Sequence, residues 1–261
     1  MGRLYETRSI SGKTALVTGA SAGIGRACAF LLAEQGTHVM LVARREDKLV
    51  QVKDEILTLF PNANVQVEVC DISSPADVAT LTHRLPTVDI LVNNAGLALG
   101  VETGDEGSMD DTVTMFNTNV IGSIALIKGL AKQMRSQNSG EIVNIGSVAA
   151  TDHYNGGAIY CATKSAIEAY SSCLRMDLVD TDIRVTTINP GIVGGTEFSL
   201  VRFRGDTQKA ATPYEGLDFL TAMDVADQVI YAITRPINVQ IAQIKSYCNQ
   251  QGHAKYVVSR K

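Results

Sequence analysis

Short runs of apolar, largely β-branched residues recur along the chain and alternate with longer segments whose apolar positions return every three to four residues. The runs at 14–18, 38–43, 65–69, 90–93, 142–145, 185–188 and 239–244 predict strands. The segments at 23–34, 45–59, 75–85, 109–135, 160–179 and 224–233 predict helices between them. Strands that are nearly all apolar need cover on both faces, and alternation with helices makes the connections crossovers between parallel strands. The fold class expected is α/β, a doubly wound parallel sheet of the Rossmann kind. Such a sheet builds its site beyond the carboxyl ends of its strands.

There is no internal repeat, low-complexity tract or Pro/Ser-rich linker, so residues 1–261 are expected to form a single domain. The one long stretch without clear periodicity, about 191–220, follows the sixth strand and is expected to be a lid over the cleft. With 45% hydrophobic residues in 261, the core is of normal size, and a net charge of -4 leaves no basic field for nucleic acid. The five cysteines, Cys28, Cys70, Cys161, Cys173 and Cys248, lack ligand-like spacing. They suit free thiols in a reducing compartment rather than disulfides or a metal site. The basic residues before Lys13 are followed by no apolar run, and Glu6 stands where a myristoylation start at Met1-Gly2 needs Ser or Thr. Apolar stretches such as 90–92 and 142–143 are too short to span a bilayer. A cytoplasmic protein without membrane association is the expectation.

The first strand runs into Thr18-Gly19-Ala20-Ser21-Ala22-Gly23-Ile24-Gly25 and then a helix. Glycines at 19, 23 and 25 allow a sharp turn, close approach of a pyrophosphate and tight packing of helix on strand. Ordinary strand-to-helix turns also use glycine; the flanking strand and helix favour the dinucleotide loop. After the second strand, where a carboxylate would hold the ribose 2′-hydroxyl of NAD, the chain reads Ala43-Arg44-Arg45. Two guanidinium groups suit a 2′-phosphate, and hence NADP, although a solvated pair at a helix start would look the same. Tyr160 and Lys164 are one helical turn apart on one face, where an ammonium can draw down the tyrosine pKa, although such a pair by itself is common on any helix surface, and Ser147 follows the fifth strand.

Together these pieces resemble the short-chain dehydrogenase/reductase family over almost the whole chain. The motifs are TGASAGIG at 18–25, Asp71 after the third strand, NNAG at 93–96, Asn119 within NTNVIGS, Ser147 within NIGSVA, YCATK at 160–164 and NPG at 189–191. The resemblance implies catalytic roles for Asn119, Ser147, Tyr160 and Lys164. Tyr160 would donate its proton to the developing alkoxide, and Ser147 would hydrogen-bond the same oxygen. Lys164 would lower the tyrosine pKa and hold the nicotinamide ribose, while Asn119 would position a water that reloads the proton. Cofactor contacts are implied for Gly19, Ser21, Gly23, Ile24 and Gly25, for Arg44 and Arg45, and for Asp71 at the adenine. Further contacts are implied for Asn93, Ala95, Gly96, Tyr160, Lys164, Pro190, Gly191, Val193 and Thr196. No metal is implied, and the two long helices imply a homotetramer or homodimer; apolar Ile121, Ile124, Ile127 and Leu130 could equally be covered by the chain's own sheet.

The run at 194–206, GGTEFSLVRFRGD, and ARREDKL at 43–49 are similar to the NADP-dependent 3-hydroxy acid dehydrogenases, which oxidise serine and allo-threonine. Arg202 or Arg204 could clamp a substrate carboxylate, or merely face solvent, and His153, Tyr154 and Asn155 would border the pocket. The tail at 245–261 matches nothing familiar. An NADPH-dependent carbonyl, ketone or 3-oxoacyl reductase stays open as an alternative, as does an NADP-binding sensor without turnover.

Overall fold

The computed structural model describes residues 7–259, so the Met1-Gly2 start lies outside the described residues. Strands β1 (Thr14–Thr18), β2 (His38–Ala43), β3 (Val65–Val69), β4 (Ile90–Asn93), β5 (Gly140–Ile145), β6 (Ile183–Pro190) and β7 (Gln243–Ser246) form one sheet. Its order is β3-β2-β1-β4-β5-β6-β7, and every pairing is parallel. The chain winds outward from β1 to β3, then crosses to β4 and winds out the other way. The crevice of such a sheet opens where the direction reverses, at the carboxyl ends of β1 and β4.

Side chains alternate across the strands into two cores. Ala15, Val17, Leu41, Val92 and Val143 pack on one face with helices α1 (Gly23–Glu34), α2 (Glu46–Leu59) and, later in the chain, Val225 and Val229. Leu16, Met40, Val42, Leu91 and Ile142 pack on the other with α3 (Pro75–Arg84) and Leu126, Ile127, Leu130 and Met134. The latter group belongs to a long helical run, α4 (Met109–Phe116), a π-helical stretch (Asn117–Gly122) and α5 (Ser123–Gln137). This run has the length and apolarity a membrane span needs, but the apolar residues of α5 are those filling the second core. Of the four residues named for a subunit contact, Ile127 and Leu130 are therefore internal, while Ile121 is exposed.

Helix α6 (Ala158–Asp177) follows a 3-10 turn (Val148–Ala150), and between β6 and the final helix lie α7 (Phe198–Arg202), α8 (Thr207–Ala211) and a 3-10 turn (Thr212–Tyr214). This excursion is closed at its base by a bridge between Val193 and Leu220. Helix α9 (Ala222–Ile233) starts with a reciprocal capping box between Thr221 and Asp224.

Besides the π-helical break in the helix expected over 109–135, two elements near the end of the chain depart from the sequence reading. The last strand was expected at 239–244, but pairing begins only at Thr187↔Gln243. The cause is Arg184, whose guanidinium donates to the carbonyls of Ile233, Arg235, Pro236 and Val239 and holds that segment as a turn. The tail, unassigned from sequence, forms an antiparallel hairpin of β8 (Gln251–His253) and β9 (Tyr256–Val257).

Candidate active site

A cavity of about 670 Å³ opens over the carboxyl ends of β1, β4, β5 and β6. At the first of these ends the chain turns at Gly19 with φ of 64°, and a side chain there would press on the Asn94 amide. Only glycine meets both demands without strain. Asn94 and Ala95 donate their backbone N–H groups to Thr18 Oγ1, each at 2.9 Å, so the ends of β1 and β4 form one rigid edge. Helix α1 then begins without a side-chain cap and without an acidic residue in its first turn. Its first N–H groups and the positive end of its dipole therefore meet no anion supplied by the helix itself, which suits a pyrophosphate. At the edge of the same region, Arg45 donates to Ser21 Oγ at 3.0 Å and pairs with Glu197 at 2.7 Å. The glycine turn, uncapped helix and arginine fit a phosphorylated dinucleotide.

Tyr160 and Lys164 project from α6 into the cavity wall beside Ser147. The Lys164 ammonium donates to the Ile145 carbonyl at 2.8 Å and lies 5.8 Å from the centre of the Tyr160 ring. Burial lowers the Lys164 pKa to about 8. The Tyr160 phenol is pushed up by burial and by the neighbouring Tyr154, against a hydrogen bond with Ser147 and the field of Arg202 that pull it down. Ser147 is fixed from below: its backbone N–H donates to Asn189 Oδ1 at 3.0 Å, and Asn189 donates to Glu168 of α6 at 2.8 Å. Asn119 sits in the π-helical stretch, a distortion that often marks functional sites. Its side chain exchanges hydrogen bonds with the Leu97 backbone, both at 2.8 Å, and donates to Thr163 Oγ1 at 3.1 Å.

The outer end of the cavity is walled by the excursion after β6 and by the C-terminal hairpin. Arg202 is 7% exposed and donates to the Gly100 carbonyl, the Tyr154 hydroxyl and the Gly156 carbonyl at 2.9, 3.0 and 2.9 Å. All three acceptors are neutral, and two of its five N–H groups remain. Among the described residues, six charged ones line the cavity: Arg45, Lys164, Arg202, Lys209, Lys255 and Glu197. Five of the six are cations in a chain of net charge -4.

Residues 13–204 match the sequence profile of the family described as short chain dehydrogenase. The chain belongs to the short-chain dehydrogenase family. Among relatives within it, an NADP-dependent 3-hydroxy acid dehydrogenase of Schizosaccharomyces pombe is 39% identical over 256 residues, covering 97% of this chain and 98% of the relative. A protein of the same name from Salmonella typhi is 40% identical over 249 residues, covering 94% and 98%. A structure described as the closed form of serine dehydrogenase complexed with NADP+ superposes with a TM-score of 0.88 at 39% identity, covering 95% of this chain and all of that one. Serine dehydrogenase from Escherichia coli gives 0.79 at 34% identity, covering 92% of this chain.

Most residues singled out for this short-chain dehydrogenase lie together. Gly19, Ser21, Gly23, Ile24, Arg45, Ala95, Gly96, Ser147, Tyr154, Tyr160, Lys164, Pro190, Gly191, Val193, Thr196 and Arg202 all line the cavity. Asn93 does not: its amide is buried under the sheet end, donating to Asn144 at 3.0 Å, and Asn94 faces the glycine loop instead. Gly25 sits behind the lining against Gly19. Arg44 is exposed outside the cavity, and Asp71 accepts hydrogen bonds from Ser73 at 2.9 and 2.7 Å. His153 is exposed and contacts Ser165, and Arg204 pairs with Asp111 on the outer surface, so neither meets the cavity, and exposed Asn155 lies outside it too. Sequence reasoning missed Asn189 as the support of Ser147, and it missed Gln251 and Lys255, which a hairpin of unrecognised sequence carries to the cavity.

Proposed function

We propose that this chain is an NADP-dependent oxidoreductase interconverting a small 3-hydroxy acid and its 3-oxo acid by hydride transfer. The observation that carries this reading is the buried Arg202, whose hydrogen-bond acceptors are all neutral, on a lining where Lys164 and Lys255 also lack a carboxylate partner among the described residues, while Arg45 and Lys209 pair with Glu197 and Asp206. A carboxylate on the substrate supplies what that wall lacks, and low-dielectric walls strengthen the attraction. The names of the relatives point the same way. A neutral ketone or a 3-oxoacyl thioester fits less well, and a sensor without turnover has no need of Ser147, Tyr160 and Lys164 drawn together.

NADP held in the cavity would supply the chemistry of hydride exchange, giving hydride to the carbonyl carbon in reduction and taking it from the carbinol carbon in oxidation. In reduction, Tyr160 donates its phenolic proton to the carbonyl oxygen as that oxygen gains charge, and the Ser147 hydroxyl donates to the same oxygen. Burial that keeps the phenol protonated serves this direction. In oxidation the phenolate must form, and the Lys164 ammonium and Arg202 favour it. The Asn119 side chain is committed to Leu97 and Thr163, so its role in this reading is to hold the loop after β4 against α6. Gly23 and Ile24 at the start of α1 would hold the pyrophosphate, and Arg45 would take the 2′-phosphate in exchange for Glu197. The excursion at 191–220 acts as the lid. Exposed apolar Met109, Val113, Ile121, Met176 and Val179 suit a homotetramer or homodimer, and five free cysteines suit the cytoplasm.

The test is NADP-linked oxidation of 3-hydroxypropionate, L-serine and L-allo-threonine beside cyclohexanol, with 3-oxoacyl thioester reduction as the reverse. The acids are expected to react, and Arg202→Met is expected to raise their KM about tenfold or more relative to cyclohexanol. Reaction of the neutral substrates alone overturns the reading.

A further inference from the structure

The tip of the β8–β9 hairpin carries Lys255 into the cavity wall. Its ammonium lies 5.2 Å from the centre of the Tyr154 ring, and the Arg202 guanidinium lies 5.6 Å from the same centre. Two cations thus share one aromatic ring, and among the described residues neither pairs with a carboxylate. Nor does the hairpin depend on Lys255 for its place. Gln251 accepts from the Ile192 N–H at 2.9 Å, while Gln250 accepts from the Asp218 N–H and donates to the Gly216 and Val258 carbonyls. Burial and the neighbouring guanidinium hold Lys255 below the usual lysine range, a cost that an arriving anion relieves.

The remaining charges decide which anion is suitable. Glu197, the one carboxylate on the lining among the described residues, is taken by Arg45 at 2.7 Å at the cofactor end. Glu102 and Asp111 line a smaller neighbouring cavity on the other side of Arg202, and Asp111 is taken by Arg204. Within the main cavity a substrate α-ammonium near Arg202 and Lys255 therefore meets two like charges, whereas a substrate with only a carboxylate meets two opposite ones. We propose that Lys255 is a specificity-determining residue which, with Arg202, holds the substrate carboxylate and selects 3-hydroxy acids lacking an α-amino group over α-amino acids such as serine. The proposal rests on the 3-hydroxy acid reading given above.

The experiment measures kcat and KM with NADP for 3-hydroxypropionate, L-serine and 1,3-propanediol, in the full-length chain and in Lys255→Gln, Lys255→Arg and Lys255→Glu. The unaltered enzyme is expected to favour 3-hydroxypropionate over both others. Lys255→Gln is expected to raise the KM for 3-hydroxypropionate about tenfold relative to that for the diol, with a smaller rise for serine. Lys255→Arg should restore the preference, and Lys255→Glu should turn it toward serine by offering a partner to the ammonium. A merely structural hairpin would move all three substrates and NADPH binding together. Selectivity unmoved in the Gln and Glu variants, or an unaltered enzyme that favours serine, overturns the proposal and leaves the acid reading standing. An unaltered enzyme that oxidises the diol as well as the acid overturns the acid reading itself.

Discussion

Burial acts in opposite directions on the two side chains of α6 that face the cavity: it holds the proton on Tyr160 and loosens it from Lys164. The signs give a pH dependence. Tyr160 stays protonated through the neutral range, so the acid for reduction is not lost there. The Lys164 ammonium is fully present well below pH 8 and is lost as pH rises through about 8, earlier than an ordinary lysine would lose it. Because the neighbouring ammonium stabilises the phenolate left behind, it makes the phenol a stronger proton donor in reduction too, so NADPH-linked reduction should hold a plateau below that pH and decline above it by about tenfold per unit, read as kcat/KM against pH. A profile flat to the normal lysine range contradicts this. The pair and Ser147 were legible because YCATK and NIGSVA resemble the motifs of a known family; helical spacing put Tyr160 and Lys164 on one face but would not by itself have singled them out. Lys255 was not, since only a tertiary hairpin brings it near Arg202. The two arginines after β2 looked equivalent as a dipeptide, yet the backbone directs only Arg45 to the cavity.

Among elements, the parallel sheet and its helices were legible because buried strands and amphipathic helices carry different periods. The π-helical register at Asn117–Gly122 was not, since a wider turn barely disturbs an apolar spacing of three to four. The edge of the sheet was misplaced for a different reason: the apolar run near Val239 is held by a buried charge rather than by a neighbouring strand. Arg184 and Glu141, paired at 2.7 Å and almost wholly enclosed, join β6 to β5, and Arg184 also holds four carbonyls of the segment leading to β7. Burial keeps Glu141 above the usual carboxylate range despite its two arginine neighbours. Arg184→Met should strip partners from those carbonyls and cost roughly 3–5 kcal/mol, a fall in melting temperature of roughly 6–20 °C. Thermal denaturation reads it, and a shift under about 2 °C would mean the clasp is replaceable.

For the molecule as a whole, the two windings of the sheet put Gly19 and Asn94 side by side, and the cavity above them is completed by segments far apart in the chain. Among the described residues the lining of that opening carries five cations and one carboxylate in an acidic chain, a contrast invisible in the net charge. If the apolar side chains on α4, the π-helical stretch and α6 meet copies of themselves, light scattering should give two or four times the monomer mass. Ile121→Glu should then lower that mass, and a monomer at micromolar concentration contradicts the association. The central claim is that Tyr160 moves the proton while NADP exchanges the hydride with a 3-hydroxy acid. Its most direct test follows the absorbance of reduced nicotinamide with 3-hydroxypropionate in the unaltered chain and in Tyr160→Phe, with NADPH binding measured in both. Turnover lower by ~10²–10⁴-fold with binding retained is the result expected. Turnover sustained in Tyr160→Phe would contradict the account.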